Sequence, residues 1–528
     1  MSKKKSKQLF TSCDWDEKLL QTIWSKIEEC GKELRLDYYK PRIELVNFEQ
    51  MLEAYSSIGL PNVYSHWSFG KSFAEEADAY YKRGGGLAYE LIINSNPTIA
   101  YCMESNTALL QTLVMAHAVC GHGSFFKNNY MFKNNTDADS ILNFIEFSRT
   151  FISECEEKYG ADNVEDLLTC CHTLQNYGID IYKKKRHKSK KEQESVLEAK
   201  RQHLDSMDVS ENKYFKGLTD SYLFNRDARL QIKESLAGEL EEDFHYLNDE
   251  NLLYVLEKHS PRLFPWEREI VRIVRQFAQY FYPQGLTKVM NEGWASFVHY
   301  HIMEKLQQKG HIDGGQFLEF LQAHCNVCCN EKKSKENPDG RFKYFNPYYL
   351  GFNIFMDIKR MCEEPTDEDK ELYPDIVNTD WIDTTHNIMK NFKDEDFIRQ
   401  YLTPNLMRKM NLVSYEFTHR KGSTKATCLD NCDEEGYTNI RNKVADSHMK
   451  FDRLPRLEVD SITLGVHEVK TINIKLFEGD RGQEINMDTA YIVRRYIRCL
   501  WGDGVKIVIF DNEGKPLKAL NDEDEYID

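Results

Sequence analysis

The segment at residues 111–132, QTLVMAHAVCGHGSFFKNNYMF, constrains this chain more than any other. It begins as an apolar helix, then meets His117, Gly121 and His122 and a Phe-Phe-Lys-Asn-Asn tail. A buried apolar helix has no need of two imidazoles flanking a glycine, so the stretch reads as a site. Far downstream, NEGWASFVHYH at 291–301 sets Glu292, Ser296 and His299 on one helical face. The two segments together suggest a polar site inside a mostly helical body.

The histidine spacing carries a specific structural demand. A zinc site takes three or four N, O or S ligands, often histidines from one helix and a carboxylate from another. Residues five apart on a regular α-helix diverge by roughly 140°, whereas a spacing of four keeps both on one face. Convergence of His117 and His122 therefore requires a local distortion. Gly121 can supply it, through a π-bulge or by ending the helix before His122. Glu292, and His299 beside it, would complete such a shell. The structural alternative is two buried histidines bonded to backbone carbonyls, with Glu292 pairing or capping.

A chain of 528 residues is long enough for a large core and two or more domains. Its 41% hydrophobic and 29% charged content is that of an ordinary globular protein. A net charge of −16 argues against broad nucleic-acid binding. No apolar run of signal or membrane-span length occurs, so a cytoplasmic protein is expected. The 14 cysteines are scattered through apolar helical patterns and read as free thiols in a reducing compartment.

Helical periodicity covers 14–55, with Leu19, Ile23, Ile27 and Cys30 at three- and four-residue steps. ELIINSNPTIAYCM reads as a strand or two broken at Asn96-Pro97. Gly84-Gly85-Gly86 is a turn and lacks the Gly-Lys-Ser/Thr ending of a phosphate loop. A helix is expected over 137–160 with Asp137 as its cap, a second short helical unit over 161–182, and strong helicity over 227–310. Another helix at 346–362 has Asn346 as cap and Pro347 at its first position. The segment 183–205 is charge-dense, with almost no apolar face, and reads as an exposed insertion or docking surface.

From about 411 the pattern turns to alternation, with one helix (DTAYIVRRYIRCLWG) and a strand, VKIVIF, entering an Asn-Glu-Gly turn. The expected architecture is mainly α: a basic disordered N-terminus at 1–12, a large helical domain at 13–410 and a small α+β domain at 411–528. Weaker site candidates are Cys325, Cys328 and Cys329 with Cys428 and Cys432, and the Glu241/His245 pair at helical spacing. Trp67, Trp266 and Trp294 are expected to wall the site. No Gly-x-Ser-x-Gly elbow supports a serine hydrolase.

The blocks AHAVCGHGSFFKNNYMF, NEGWASFVHYH and NPYYLGFNIFMDIKR, with HWSFGKSF, AYELIINSNPTIAYCMESNT and LLYVLEKHSPRLFPWEREIVRIVRQFAQYFYPQ, resemble the stage V sporulation protein R (SpoVR) family. The likeness runs in family order from about residue 12 into the C-terminal domain. It implies a cytoplasmic protein linked to spore cortex formation or stress physiology, acting beside a PrkA-type serine kinase and its small companion protein. The His…Gly-His and Asn-Glu-Gly-Trp-Ala patterns are also similar to those of helical zinc peptidases. By that likeness His117, His122 and Glu292 bind a divalent metal, zinc foremost. Such peptidases place a general-base Glu directly after the first histidine; here that residue is Ala118. His299, His66 or Glu90 would have to substitute, and His299 is the candidate catalytic residue. Two functions stay open: a metal-dependent hydrolase of a peptide, amide or cell-envelope precursor, and a non-catalytic regulatory or scaffold protein. The polar residues Lys127, Asn128 and Asn129 favour the first, and Ala118 favours the second.

Overall fold

The computed structural model describes residues 8–57, 60, 63–83, 90–181, 246–249, 251–329, 346–410, 412, 415–420, 423–428, 434–448, 455–464, 469–478, 485–511 and 513–520. The protein is mainly helical. It divides into two compact units, residues 1–165 with 279–453, and residues 166–278 with 454–528.

The chain opens with α1 (Glu17–Glu33), β1 (Pro41–Val46), α2 (Phe48–Ser56), α3 (Trp67–Arg83), β2 (Glu90–Ile93), β3 (Thr98–Met103) and α4 (Ala108–Met115). A π-helix (Ala116–His122) continues α4 and leads into α5 (Gly123–Asn128) and α6 (Tyr130–Asn135). Then come α7 (Ile141–Tyr159), α8 (Ala161–Leu174), β4 (Tyr246–Asp249), α9 (Leu252–His259) and α10 (Pro265–Leu286). The centre of the first unit is α11 (Lys288–Gln308), followed by α12 (Gly314–Val327), α13 (Pro347–Glu363), α14 (Asp367–Leu372), α15 (Trp381–Asn391), α16 (Asp394–Tyr401) and α17 (Pro404–Lys409). A hairpin, β5 (Tyr415–Arg420) and β6 (Ser423–Cys428), and α18 (Glu434–His448) complete that unit. The C-terminal residues supply β7 (Arg456–Leu464), β8 (Lys470–Phe477), α19 (Met487–Trp501), β9 (Val505–Phe510) and β10 (Pro516–Leu520).

Local chemistry explains most boundaries. Asp16 caps α1 by accepting from Leu19 N at 2.7 Å, and Leu20, Ile23, Ile27 and Cys30 form the buried stripe. Asn346 caps α13 with Pro347 in the first turn, as expected. Strands β2 and β3 pair antiparallel across the Asn96-Pro97 turn, Glu90 opposite Cys102. The helix expected from Asp137 starts instead at Ile141. Residues 138–140 form a turn that is tied to the β2–β3 connection, where Asn96 N donates to Ala138 O (2.9 Å) and Asn96 Nδ2 to Asp139 Oδ1 (2.8 Å). Residues 41–46 are a strand, parallel to β3, and not part of the helical run read over 14–55. Pro41 stands at its first position, where a missing N–H costs no ladder bond.

The division into units differs from a split near 411. Strand β4 pairs antiparallel with β7, which draws the chain before α10 into the C-terminal sheet, ordered β10-β9-β8-β7-β4. Residues 246–247 are thus strand, not the end of a helix. Conversely, Tyr437, Ile440, Val444 and Ala445 of α18 join the core of the first unit, and Arg399 Nη2 bonds Asp446 Oδ1 at 2.8 Å. Residues 8–10 are tied down: Leu9 N donates to His311 O (2.9 Å), Gln8 Nε2 to Asp313 Oδ2 (3.0 Å), and Phe10 is buried. The charged 183–205 segment, Glu241, His245 and Cys432 lie outside the described residues. No helix among the described residues is long and apolar enough to cross a membrane.

Helix α11 is buried on nearly every face and carries NEGWASFVHYH. Its N-terminus is capped from another element: Asp394, the first residue of α16, accepts from Val289 N and Met290 N, both at 2.8 Å. Two buried amides would lose their acceptor in Asp394→Ala. The expected cost is about 1–3 kcal/mol, read as a lowered denaturant midpoint. An unchanged midpoint would show that Asp394 does not hold this end of α11.

Candidate metal centre

The π-helix resolves the spacing problem of His117 and His122. It closes i→i+5 hydrogen bonds, as Gly123 N does to Ala118 O, so residues five apart stack on one face. The two imidazole centroids lie 4.7 Å apart. Gly121 serves a purpose beyond permitting the distortion: a Cβ there would sit 2.5 Å from Ala295 Cα. The π-helix and α11 can approach closely only because Gly121 has no side chain. On its other side α11 meets α13 at a second close crossing, where Gly293 faces Gly351. These contacts bring Glu292 of α11 and Tyr348 of α13 to the histidines.

Four side chains converge. His117 Nε2 is 3.0 Å from Glu90 Oε1 and 3.8 Å from Glu292 Oε2, and His122 Nε2 is 3.4 Å from Glu292 Oε2. The ligand atoms of Glu90, His117 and His122 all lie within 4.8 Å of one another, a group that could hold a metal ion. Glu90 Oε2, His117 Nε2 and Glu292 Oε2 are buried and make no well-directed hydrogen bond. Buried polar atoms left so are uncommon in a folded protein. The histidine side chains are 7–8% exposed and the carboxylates 15–19%, so the approach from outside is on the carboxylate side.

The outer edges of both rings are fully engaged. His122 Nδ1 is 2.8 Å from Asn291 Oδ1, an acceptor, so the ring donates there and turns Nε2 toward Glu292. His117 Nδ1 is 2.7 Å from His299 Nδ1, and His299 Nε2 is 2.8 Å from His324 Nδ1. A His117 that donates from Nδ1 sets the direction of the whole imidazole chain and likewise turns its Nε2 toward the carboxylates. Burial pushes His117 down to about 4 and His324 also to about 4; burial, with His117 and His324 adjacent, holds His299 well below the usual histidine range. The three rings are therefore neutral at pH 7. Burial and the nearby Glu292 raise Glu90 well above the ordinary carboxylate range. Burial also raises Glu292, but His122, His117 and the Tyr348 hydroxyl outweigh it and hold Glu292 low. Tyr348, pushed well up by burial and by Glu292, keeps its proton and donates to Glu292.

Other sequence candidates fall elsewhere. His299 touches His117 on the ring edge opposite the carboxylates. His66 bonds Ser68 Oγ at 2.6 Å and is not in the cluster. Ser296 is fully buried, near Cys328 Sγ at 3.7 Å. Lys127 pairs with Asp37, Asn128 donates to Asp37 O (2.7 Å), and Asn129 caps α6 and donates to Met389 O (2.7 Å), so structural bonds account for these polar residues. Trp294 lies in the core and donates to Ser124 Oγ at 2.9 Å, whereas Trp67 is 56% exposed, with its ring 5.5 Å from that of His66. Glu90, weighed from sequence only as a base, is a member of the cluster, and Tyr348 was not singled out at all. No periodicity links a residue at the start of β2 to a π-helix; only the pairing of β2 with β3 brings it there.

Comparison with known proteins agrees with this arrangement of blocks. The family described as SpoVR like protein matches residues 14–453. An Escherichia coli relative, titled Uncharacterized protein YcgB, is 42% identical over 504 residues, covering 95% of this chain and 94% of its own. No solved structure matches the chain. The chain belongs to the SpoVR family.

Proposed function

We propose that the protein is a metal-dependent hydrolase whose ion is held by His117, His122 and Glu292, with Glu90 as the proton acceptor. The observation that supports this reading is the close group of Glu90, His117 and His122 ligand atoms, all within 4.8 Å of one another, with Glu292 Oε2 3.4 Å from His122 Nε2. A tetrahedral ion with bonds of about 2.0–2.1 Å sets its ligand atoms about 3.3 Å apart. The His122–Glu292 distance of 3.4 Å and the His117–Glu292 distance of 3.8 Å approach that spacing. Zinc suits this nitrogen and carboxylate set, and it would supply Lewis-acid polarisation of a carbonyl or of water.

Each neighbouring residue has a role in this reading. Asn291 and the His299–His324 pair orient the two ligand rings through their outer nitrogens. Glu90 enters from β2 and stands in for the Glu that Ala118 replaces, its Oε2 free to take a proton. Tyr348 supplies a neutral hydroxyl beside Glu292, suited to donate to a developing oxyanion. A peptide or amide bond is the substrate class proposed, cell-envelope precursors included, in keeping with the cortex role the family name suggests.

The test is turnover of peptide, amide and cell-wall fragments by zinc-loaded protein. Glu90→Gln is expected to keep its metal and lose about 10²–10⁴-fold in kcat. Equal turnover by Glu90→Gln would remove Glu90 from the chemistry. One observation favours a second reading: Ala118 is fully buried where the peptidase-like pattern has its base. On that reading the site is structural and the protein acts with a PrkA-type kinase and its companion. Capture of that kinase by metal-free and metal-loaded protein alike, with no turnover, would support it.

A further inference from the structure

Strand β2 carries Glu90 to the His/Glu cluster, and it is also an edge strand, because its sheet runs β1-β3-β2. The direction of its backbone groups follows from β3. Thr98 N donates to Lys40 O at 3.1 Å and Glu104 N to Val46 O at 2.9 Å, so the even-numbered residues of β3 turn their amides toward β1. The odd-numbered Ile99 and Tyr101 therefore turn toward β2, where the register sets them opposite Ile93 and Leu91. Glu90 and Ile92, opposite Cys102 and Ala100, point their N–H and C=O groups away from the sheet.

Tyr55 bears out that direction at one end, since its hydroxyl donates to Glu90 O. At Ile92 the outward N–H and C=O meet no hydrogen-bond partner among the described residues. The side chains of Glu90 and Ile92 turn to the π-helix and the start of α5. Glu90 Oε1 is 3.0 Å from His117 Nε2, and Ile92 Cδ1 is 4.0 Å from where a Gly123 Cβ would stand. Leu91 and Ile93 are buried on the opposite face. The outward edge thus runs alongside the cluster, with Ile92 two residues, or about 6.8 Å, from Glu90.

We propose that β2 is a docking edge and that the substrate is an extended peptide, paired main chain to main chain with Ile92 so that its neighbouring peptide bonds pass the Glu90 carboxylate. The inference rests on the hydrolase reading for the chemistry at the cluster, and narrows its substrate from amides in general to a linear peptide. An edge strand offers donors and acceptors at the spacing of another strand, and an extended peptide presents the matching set. A glycan or a nucleic acid has no such ladder. Affinity drawn from main-chain bonds also tolerates many side chains, so the peptide is recognised by its extended backbone before its sequence.

The experiment uses the full chain and an apolar hexapeptide of L-residues, as its amide, as its C-terminal hydroxamate, and as a series with one amide at a time N-methylated. On metal-free protein, hydrogen exchange over residues 90–93, read by mass spectrometry, is expected to slow when the hexapeptide amide is added. On zinc-loaded protein the hexapeptide hydroxamate should bind at least about tenfold more tightly than acetohydroxamate, from its added main-chain bonds. Methylation should cost about tenfold at one amide and little at either neighbour. Ile92→Pro removes the outward N–H without touching the ladder, and should lose a similar factor while keeping its melting temperature. The methylated series depends on no variant, so it decides the matter even where Ile92→Pro misfolds. Unchanged exchange over 90–93, or equal costs of methylation at neighbouring amides, overturns the proposal. Acetohydroxamate that fails to bind, or a protein that takes up no zinc, counts against the hydrolase reading instead, and the exchange measurement then judges the edge by itself.

Discussion

Gly351→Ala is expected to abolish accumulation of folded protein, or to lower stability by more than about 4 kcal/mol, the range reserved for severe core defects. A Cβ at that position would lie 2.1 Å from Val289 O and 2.7 Å from Gly293 Cα. Both neighbours are backbone, so no side chain can swing aside. Nor can α11 retreat, because its opposite side meets the π-helix at Gly121 and Ala295. Ordinary overpacking costs about 1–3 kcal/mol because side chains and backbone share the shift; here the shift would have to displace a central helix. Any variant that did fold would carry Glu292 and Tyr348 away from the histidines. Gly70→Ala in α3 is the matched control, with nothing within 4 Å of the new Cβ. It is expected to be neutral or to gain up to about 1 kcal/mol from helix propensity. Soluble yield and denaturant midpoints compare the two, and a Gly351→Ala midpoint equal to wild type would contradict the packing described.

The second large effect concerns ion affinity. Loss of partners behind a ligand histidine costs about 10–100-fold in affinity. His299→Ala removes the partner of His117 Nδ1, and Asn291→Ala that of His122, so each is expected to fall in that range. His122→Ala removes a proposed ligand outright and is expected to lose more than about 100-fold. Competition against a chromophoric chelator measures all three. His299→Ala binding as tightly as wild type would mean that the imidazole chain does not orient His117.

Much of this was legible in the sequence, for identifiable reasons. The apolar stripe of α1, the Asn346-Pro347 start of α13 and the strand break at Asn96-Pro97 are local signals, and the fold uses each of them. The i, i+5 spacing of His117 and His122 made a distortion at Gly121 necessary for convergence, and the π-helix is that distortion. What escaped was non-local. Glu90 reaches the cluster through strand pairing, and Tyr348 through a crossing of two helices at Gly293 and Gly351 that no single segment announces. The compact units divide differently from a split near 411 for the same reason: the pairing of β4 with β7 joins residues some two hundred positions apart. The polar tail Lys127-Asn128-Asn129 pointed to chemistry, but it serves to fasten α5 and α6 to their neighbours.

The central claim, a metal ion held by His117, His122 and Glu292, is tested most directly by elemental analysis of purified protein never exposed to chelator or added metal. The wild type is expected to contain close to one equivalent of zinc, or of manganese or iron. The His117→Ala, His122→Ala double variant, folded by its circular dichroism, should contain almost none. Wild-type protein free of metal, or a double variant that keeps the full equivalent, would contradict the account.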